Sequence, residues 1–545
     1  MRRAAREWFC WFAFAAVLTA PAWGRGELIG HPDVDVWNHV WGLWWWAETL
    51  SSGALPWRTA LLSTPHGGVL WFADPLGALA ALPVTLLFGP AAAWNLLLIT
   101  RIAWAGFHAR RFAGLLGTQG PHTIVAGVAF ATSPYVLCEL YNGISEVCAT
   151  GWVPLVLAQW LIAVRTRSWR AWSLAGLCLG GATWATPYYG AALILGLLPA
   201  TVLALGRSAL SWRMAVPGIV LAGLLSGGAV LTWRAALVAK EAVIQREEGS
   251  EQAIARHNAV DIREPLMPGD FQSVNFEEEY GGEKFRHTLY LRWSLLLLLA
   301  AAVWRQPRAT LPWLALAVWG LLLGLGDRLF LAGGYPLGER GPLLPFGLLT
   351  RLVPDIAITH PARLAVTAHA IVAALAAEGL RVYGRRGLVV LPLVIGETLG
   401  FSRAVWPLPG APAAVPAVYE RLAASDDPRA VLDLPAQVRQ TMATSVYFWY
   451  QTVHRHPVPW WPNVRAEGNG DAPSVRLFLP SPSGPRRVPE LSVTAMSGLR
   501  ARYGWVIVHP ELDARAQLPG ESTRVLTAAF GPPELVDGVR LWTLR

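Results

Sequence analysis

Long apolar runs alternate with polar segments through the first 405 residues of the chain. Each run is close to the ~20 apolar residues with which an α-helix crosses a membrane. The first run follows Arg2, Arg3 and Arg6 and resembles a signal peptide, but its length and the many runs after it favour an uncleaved span. The pattern predicts about eleven membrane-spanning helices, at residues 8–23, 91–108, 121–141, 147–164, 171–187, 189–206, 214–236, 289–304, 310–326, 363–380 and 387–405.

Four polar regions interrupt or follow these runs, at residues 25–90, 237–288, 327–362 and 406–545. The first contains two predicted amphipathic helices, 36–52 and 73–88, which we expect to lie along the outer membrane surface. A span at 73–88 is the alternative, but it would place Arg110 and Arg111 on the outer side.

The tail is rich in proline and has short strand-like runs in place of long apolar ones. These runs, at 430–434, 445–450, 505–509 and 541–544, predict a small mixed α/β domain. We therefore divide the chain into a transmembrane domain, residues 1–405, and a C-terminal domain, residues 406–545.

The arginines orient the predicted spans. Lys240 and Lys284 are the only lysines, so the formal net charge of +9 comes almost wholly from arginine. With the amino terminus in the cytoplasm, six successive inner segments contain arginines, whereas the outer turns near residues 142–146 and 188 contain none. This distribution follows the positive-inside rule, and it predicts an extracytoplasmic tail and no nucleic-acid partner. The inner arginines are Arg2, Arg3, Arg6, Arg110, Arg111, Arg165, Arg167, Arg170, Arg207, Arg213, Arg305, Arg308, Arg381, Arg385 and Arg386.

Composition supports a membrane protein, with 54% hydrophobic and 15% charged residues and a mean hydropathy of +0.37. Soluble domains carry about 25% charged residues, so an ordinary soluble core and a disordered chain are both excluded. All four cysteines lie in predicted spans without a CxxC or zinc spacing. The chain also contains no phosphate-binding glycine loop, HExxH or GxSxG element, so nucleotide-driven transport and the common hydrolases have no support.

The candidate chemistry lies in the first outer loop, where Asp33 and Asp35 follow His31 and precede a tryptophan-rich stretch. Carboxylates at the outer membrane surface can deprotonate an acceptor hydroxyl or hold a divalent metal. The structural alternative is a solvated aspartate that caps the helix beginning near Val36. The tryptophans of residues 37–46 are typical of an interfacial belt and, less often, of a platform for stacking sugars.

Further segments extend this pattern: TPHGG at 64–68, DPL at 74–76, FGP at 88–90, NGISE at 142–146, HPAR at 360–363, and VLDLP at 431–435 with YQTVH at 450–454 in the tail. Together with the short first span and the aspartate-bearing loop, they resemble the type-C (GT-C fold) glycosyltransferases, in particular a large, poorly characterised bacterial branch. These integral membrane enzymes take a sugar from a polyprenyl-phosphate carrier on the outer side of the membrane. The resemblance implies a GT-C-like α-helical polytopic fold with a small C-terminal α/β domain.

The resemblance also implies a function for the carboxylates. The family's first-loop carboxylate falls on Asp35 or Asp33, and Asp35 is favoured because it directly precedes the tryptophan-rich helix. It would act as general base for the acceptor or, in metal-dependent members, as a metal ligand. Only Glu139 and Glu146 are candidates for a second acidic pair in the next outer loop. The sequence therefore requires no cofactor, although a divalent metal is compatible with it.

A polyprenyl-phosphate donor needs a cation at the depth of the membrane surface, because its leaving group is an anion. Arg363, with His360 just before it, is placed to contact phosphate, and the alternative is an arginine that snorkels to lipid headgroups. His39 and His66 are candidates for binding sugar or phosphate, with plain surface histidines as the alternative. Glu146 completes the predicted substrate contacts.

Arg101 and Glu397 fall inside predicted spans, where a charge normally faces a partner or a cavity. We expect Arg101 to pair with another helix. The favoured function is an inverting transfer of a hexosyl or pentosyl group from a polyprenyl-phosphate-linked donor to a lipid or glycan acceptor at the bacterial inner membrane. The alternatives are a transporter or flippase for an envelope precursor, and a catalytically inactive scaffold with the same fold.

Overall fold

The computed structural model of the chain describes residues 2–69, 74–241, 255–256, 258–268, 285–332, 334–338, 341–352, 358–438, 441–461, 472–479 and 487–545. Most of the predicted outer loop at 237–288, including the acidic patches at 247–248 and 277–279, lies outside the described residues.

The first 405 residues are helical apart from short connections. Their helices are α1 (Arg2–Trp23), α2 (Val36–Ser51), α3 (Pro75–Leu116), α4 (His122–Ala131), α5 (Pro134–Asn142), α6 (Trp152–Thr166), α7 (Trp169–Ala185), α8 (Pro187–Leu205), α9 (Ala209–Glu241), α10 (Trp293–Arg305), α11 (Pro307–Gly324), α12 (Pro345–Leu352), α13 (Val366–Gly379) and α14 (Val390–Phe401), with 3₁₀ turns at Pro361–Ala365 and Leu380–Val389. Short strands β1 (Leu28–Ile29), β2 (Arg58–Thr59) and β3 (Gly68–Val69) lie in the first outer loop. Each predicted span overlaps one of these helices.

Five helical segments of the described residues are long and apolar enough to cross a membrane: Pro75–Leu116, His122–Asn142, Pro187–Leu205, Ala209–Ala235 and Pro361–Gly379. Membrane-protein character is thus confirmed. The total of about eleven spans and their orientation stay predictions.

Helix α3 is sharply broken at Gly89, whose φ of 82° suits glycine, and at Pro90, which has no N–H to donate. Asp74, at the start of the first half, nevertheless forms an ion pair with Arg101 in the second half. At 1.5 Å per residue both side chains originate about 20 Å from the break, so the two halves must fold back on each other. The predicted helix at 73–88 is therefore one arm of a helical hairpin and packs against the following helix.

The two intramembrane charges have structural partners. Arg101 pairs with Asp74, which confirms the expected pairing, although the partner lies across this hairpin. Glu397 of α14 accepts a hydrogen bond from the Ser294 N–H at 3.0 Å and another from Tyr290 Oη, so it caps the amino-terminal end of α10. A carboxylate at this end of a helix is stabilised by the unsatisfied N–H groups and the helix dipole.

The tail contains β4 (Gly410–Ala411), α15 (Ala417–Ala423), β5 (Ala430–Leu434), a 3₁₀ turn (Thr441–Ser445), α16 (Val446–His454), α17 (Ala472–Arg476), α18 (Val493–Arg502), β6 (Tyr503–Val508), α19 (Pro510–Asp513), α20 (Glu521–Phe530), β7 (Glu534–Val536) and β8 (Val539–Thr543). Within the described residues, four of its strands form a sheet in the order β5-β6-β8-β7, in which β5 and β6 are parallel and the other pairs antiparallel. Apolar side chains cover both faces of this sheet.

Three of the four strand predictions in the tail are confirmed, at β5, β6 and β8. The strand predicted at 445–450 is wrong, because Val446–His454 forms helix α16. The run of β-branched and aromatic residues favours a strand locally. Helical spacing, however, turns Tyr447, Phe448 and Gln451 into the buried interior, and tertiary packing overrides the local preference.

The tryptophan-rich helix α2 packs into the core of the tail. Trp41, Trp44 and Trp45 are buried among residues of β5, β6 and α16, which differs from both an interfacial belt and an exposed sugar platform. The Trp41 indole N–H donates to Gln451 Oε1 at 2.8 Å, and β1 pairs with β4. The first outer loop and the tail therefore share one core, while the domain boundary at residue 405 stays a prediction.

Candidate functional site

Asp35 lies at the start of α2 but does not cap it. Its backbone is helical, its side chain makes no capping hydrogen bond, and it is only 7% exposed. Oδ1 instead accepts a hydrogen bond from the Asn38 side chain at 3.0 Å. The Asp35 N–H donates to the carbonyl of Asn142 at 3.2 Å, which ties this end of α2 to α5. The alternative of a solvated capping aspartate does not fit this geometry.

Asp33 faces the tail. It is buried, and its Oδ2 accepts a hydrogen bond from Arg515 Nη2 at 2.7 Å. The Asp33 N–H donates to His31 Nδ1 at 3.1 Å. The two loop carboxylates therefore have different surroundings, although they are only two residues apart.

His39 lies one turn after Asp35 on α2, at the centre of a buried polar group. Its Nδ1 forms a hydrogen bond with Ser145 Oγ at 3.2 Å and is 3.4 Å from Glu146 Oε2, and its ring stacks on Trp94 with 6.4 Å between centroids. Burial lowers the pKa of His39 to about 4; Asp35 opposes this shift, and Arg363 and Arg101 add to it. His39 is thus a neutral imidazole at pH 7, and it is not the surface histidine considered as its alternative.

Glu146 projects from the loop between α5 and α6 toward the same histidine. Its Oε2 is buried and, among the described residues, has no hydrogen-bond partner. Burial raises the pKa of Glu146 to about 7, because the charged form is disfavoured away from water; Arg363 and Arg101 oppose the shift. This carboxyl can therefore change its charge near neutral pH.

The ion pair between Asp74 and Arg101 lies next to this buried polar group. Asp74 also caps α3 by accepting from the Gly77 N–H at 2.8 Å, and a Cβ at Gly77 would collide with both charged side chains. Arg101 donates a second hydrogen bond to the carbonyl of Ser145, which holds the loop that carries Glu146. The sequence analysis quoted Asp74 and Ser145 only as parts of motifs and gave them no role, because their partners Arg101 and His39 are distant in the chain.

Arg363 enters from the 3₁₀ turn before α13. The side chain is 5% exposed, and its guanidinium lies over the Tyr188 ring, 4.9 Å from the centroid. Among the described residues it makes no ion pair, and its Nε finds no hydrogen-bond acceptor. Burial does not fit an arginine that snorkels to lipid headgroups. Glu139 and Glu146 act on this cation electrostatically but do not contact it directly, so the guanidinium keeps donors for an anionic ligand.

A second polar branch extends from the same turn. His360 forms a hydrogen bond with Thr359 Oγ1 at 2.9 Å, and its ring is 5.6 Å from that of His287. His287 Nδ1 in turn lies 3.1 Å from Glu139 Oε1. The structure therefore places His360 near the group, and Glu139 is held by a histidine that sequence reasoning missed.

His66 is not brought into the group. It is exposed in the turn before β3, and no hydrogen bond or ion pair links its side chain to the other candidates in the part of the chain that the structure describes. The neighbouring backbone is docked on the tail, where the Ser63 N–H donates to the carbonyl of Trp460 at 3.0 Å.

Among the described residues, no group of three or more His, Cys, Asp or Glu side chains is arranged to hold a metal ion. What they form is a buried polar group in which the Asp35 carboxylate and the Arg363 guanidinium both act electrostatically on His39. Such a group can accept a proton from a hydroxyl and stabilise an anion that leaves.

Comparisons with known proteins show which known fold the chain shares. No protein-family model matches the chain, and no curated protein matches it by sequence. Among solved structures, it is similar to the arabinofuranosyltransferase AftD from Mycobacteria, with a TM-score of 0.59 and 17% identity over 99% of this chain and 40% of that one. It is also similar to the oligosaccharyltransferase of Archaeoglobus fulgidus, with a TM-score of 0.53 and 11% identity for the apo form, over 93% and 70% of the two chains.

A further structure of the archaeal enzyme, AglB in complex with an inhibitory peptide and a dolichol-phosphate, gives a TM-score of 0.52 at 11% identity, over 94% of this chain and 71% of that one. The chain thus spans less than half the length of the mycobacterial enzyme and about seven tenths of the archaeal one. These proteins are glycosyltransferases of the GT-C type. The resemblance seen in the sequence is therefore confirmed for the fold: the chain has the GT-C fold of integral membrane glycosyltransferases.

Proposed function

We propose that the chain is a membrane glycosyltransferase that moves a sugar from a polyprenyl-phosphate carrier to a lipid or glycan acceptor of the cell envelope. The reaction would take place on the outer face of a bacterial inner membrane, with the amino terminus in the cytoplasm and the tail outside. One observation carries this proposal: Asp35 and Arg363 are both buried and both act electrostatically on His39, and Arg363 makes no ion pair among the described residues.

The proposed reaction is a single displacement. Asp35 accepts the proton of the acceptor hydroxyl while the acceptor oxygen forms a bond to the anomeric carbon of the sugar. The bond from that carbon to the phosphate oxygen breaks, and the polyprenyl phosphate leaves with the bonding electrons toward Arg363. One displacement inverts the anomeric configuration. His39 remains neutral throughout at pH 7 and orients the group through Ser145 and Glu146.

The solved structures of the same fold support the choice of donor. One of them holds a dolichol-phosphate, which is a phosphate on a long isoprenoid lipid. The buried guanidinium of Arg363 fits the phosphate of such a lipid, since planar guanidinium groups bind phosphate through two N–H donors.

The structure weakens one argument for the transport alternative. Charges inside predicted spans are also typical of a transport path, but Arg101 and Glu397 both have structural partners, Asp74 and the amino-terminal end of α10. A transfer site explains the remaining polar group better, because it gives a role to both Asp35 and Arg363, which act electrostatically on the same histidine, His39.

The test is mass spectrometry of lipid-linked sugars and envelope glycans in cells that lack the protein. The cells are complemented with wild type, Asp35→Asn or Glu48→Gln, at equal protein levels. Glu48 is the matched control, because it is a carboxylate of the same helix whose side chain is 40% exposed and pairs with Arg455. We expect wild type and Glu48→Gln to restore a missing sugar. Asp35→Asn should lose about 10²- to 10⁴-fold of the transfer rate, as expected without a general base. Full restoration by Asp35→Asn would contradict the proposed mechanism.

A further inference from the structure

The tail contributes a charged side chain to the first outer loop, next to the proposed site. Arg515 Nη2 donates to Asp33 Oδ2 at 2.7 Å, although the two residues are 482 positions apart in the chain. Asp33 is 6% exposed, and the Arg515 side chain is 35% exposed. A hydrogen bond between two charged groups at this distance is about twice as strong as one between neutral groups.

The tail holds Arg515 in a closed turn at the carboxyl end of its parallel strands. The His509 N–H, just after β6, donates to the carbonyl of Leu434 in β5 at 2.9 Å. Helix α19 follows directly, and Asp513 at its end accepts a hydrogen bond from the Gly520 N–H at 2.9 Å. This bond closes residues 513–520 into a loop, so the position of Arg515 is set by the sheet of the tail.

The other end of the contact is a segment anchored to the transmembrane part. The His31 N–H donates to the carbonyl of Tyr141 at 2.9 Å, and the Asp35 N–H donates to that of Asn142 at 3.2 Å. Between these two anchors, Asp33 is the residue that reaches the tail. Residues 31–35 are thus held from the membrane side by their backbone and from the tail side by the Asp33 carboxylate.

We propose that Arg515 is a positioning residue, whose ion pair with Asp33 fixes residues 31–35 and thereby the Asp35 carboxylate, so that transfer requires the docked tail. This inference rests on the proposed function for its catalytic consequence. It separates the roles of the two loop carboxylates: Asp35 accepts the proton, and Asp33 anchors the loop to the tail.

The chain offers a matched control for this contact. Arg455 of the tail forms an ion pair with Glu48 of α2 at 3.2 Å, and their side chains are 61% and 40% exposed. This pair also joins the tail to the first outer loop, but it lies beyond the buried group and contributes little, since exposed ion pairs are screened by water. If the ion pairs served only to dock the tail, Arg515→Ala and Arg455→Ala would lower kcat to a similar extent. If the pair with Asp33 positions the loop, only Arg515→Ala lowers kcat.

The test uses the full-length protein in detergent or vesicles, with the donor and acceptor that glycan analysis identifies. We expect Arg515→Ala to lower kcat by about 100-fold, as for an ångström-scale misplacement of a catalytic group, with each KM changed by less than about 3-fold. Asp33→Ala should lower kcat by the same factor, and the double variant Asp33→Ala/Arg515→Ala should lower it no further. Asp33→Asn, which still accepts a hydrogen bond, and Arg515→Lys should recover part of the rate. Arg455→Ala should match wild type.

Three results would overturn the inference: wild-type kcat in Arg515→Ala, equal losses in Arg515→Ala and Arg455→Ala, or an Asp33→Asn variant as inactive as Asp35→Asn. Hydrogen–deuterium exchange gives a second measurement that needs no activity. We expect faster exchange of amides in residues 31–35 in Arg515→Ala than in wild type or Arg455→Ala, and unchanged exchange there would also overturn the inference. If wild type transfers no sugar, the proposed function fails, but this exchange comparison still decides whether Arg515 holds the loop.

Discussion

Replacement of Arg363 by glutamine tests whether the buried guanidinium binds the donor phosphate. The side chain is 5% exposed and stacks on Tyr188, and among the described residues it makes no ion pair. Its removal therefore breaks no direct bond to a carboxylate, although it takes away a positive charge that acts on Glu146. Hydrogen bonds to charged groups contribute about 1.5–3 kcal/mol each. Since ~1.4 kcal/mol corresponds to a factor of ten, the loss of one such bond weakens binding about 10- to 150-fold. Arg363→Lys keeps the positive charge but lacks the planar pair of donors, so its affinity should lie between those of wild type and Arg363→Gln.

The assay is equilibrium binding of undecaprenyl phosphate to the purified full-length protein in detergent, followed by its tryptophan fluorescence. Arg170→Gln is the control, because Arg170 also lies over an aromatic ring, that of Trp169, but is exposed at the start of α7. Thermal melting verifies that each variant is folded. An Arg363→Gln variant that is folded and binds with the affinity of wild type would refute the assignment of this side chain to phosphate.

Two further predictions concern the packing and the pH dependence of the site. Trp41→Ala removes a fully buried indole and leaves Gln451 Oε1 without its hydrogen-bond donor. It should lower the free energy of unfolding by about 4–6 kcal/mol and speed proteolysis of the tail. Trp169→Ala is the control, because Trp169 is 52% exposed, and it should change neither quantity. Glu146 is neutral below its pKa of about 7 and negative above it, and it acts electrostatically on Arg363. Because the negative carboxylate competes with phosphate for this cation, the affinity of wild type for undecaprenyl phosphate should fall as the pH rises through 7. A fall of equal size in Glu146→Gln would contradict this assignment.

Hydrophobic periodicity was sufficient to predict the long apolar helices of the first 405 residues, because each long apolar run has only a helix as its stable form in a membrane. It did not predict α12, Pro345–Leu352, which lies in a predicted polar region. It failed where distant residues determine the structure. The break at Gly89 is visible in the sequence, but the fold-back of α3 depends on an ion pair between Asp74 and Arg101, which no local pattern reveals. Helix α16 was missed for a similar reason, since burial of Tyr447 and Phe448 against the sheet overrides their preference for strands.

The same contrast between local patterns and distant contacts applies to the candidate site. Asp33, Asp35 and His39 were found because they lie within seven residues of one another at the end of a predicted span. Their partners could not be found in that manner, since Ser145 is 106 positions from His39 and Arg515 is 482 from Asp33. His66 has the same residue type and the same loop as His39, and only its exposed turn separates the two.

The shared core of α2 and the tail has a consequence for the synthesis of the protein. The indole of Trp41 and its partner Gln451 are 410 positions apart, so the ribosome completes one long before the other. At 5–20 residues per second, the interval is about 20–80 s. During that time the face of α2 that bears Trp41, Trp44 and Trp45 lacks the residues of the tail that bury it in the folded protein. This part of the core can therefore close only after the tail has been synthesised, whatever the order in which the membrane helices fold.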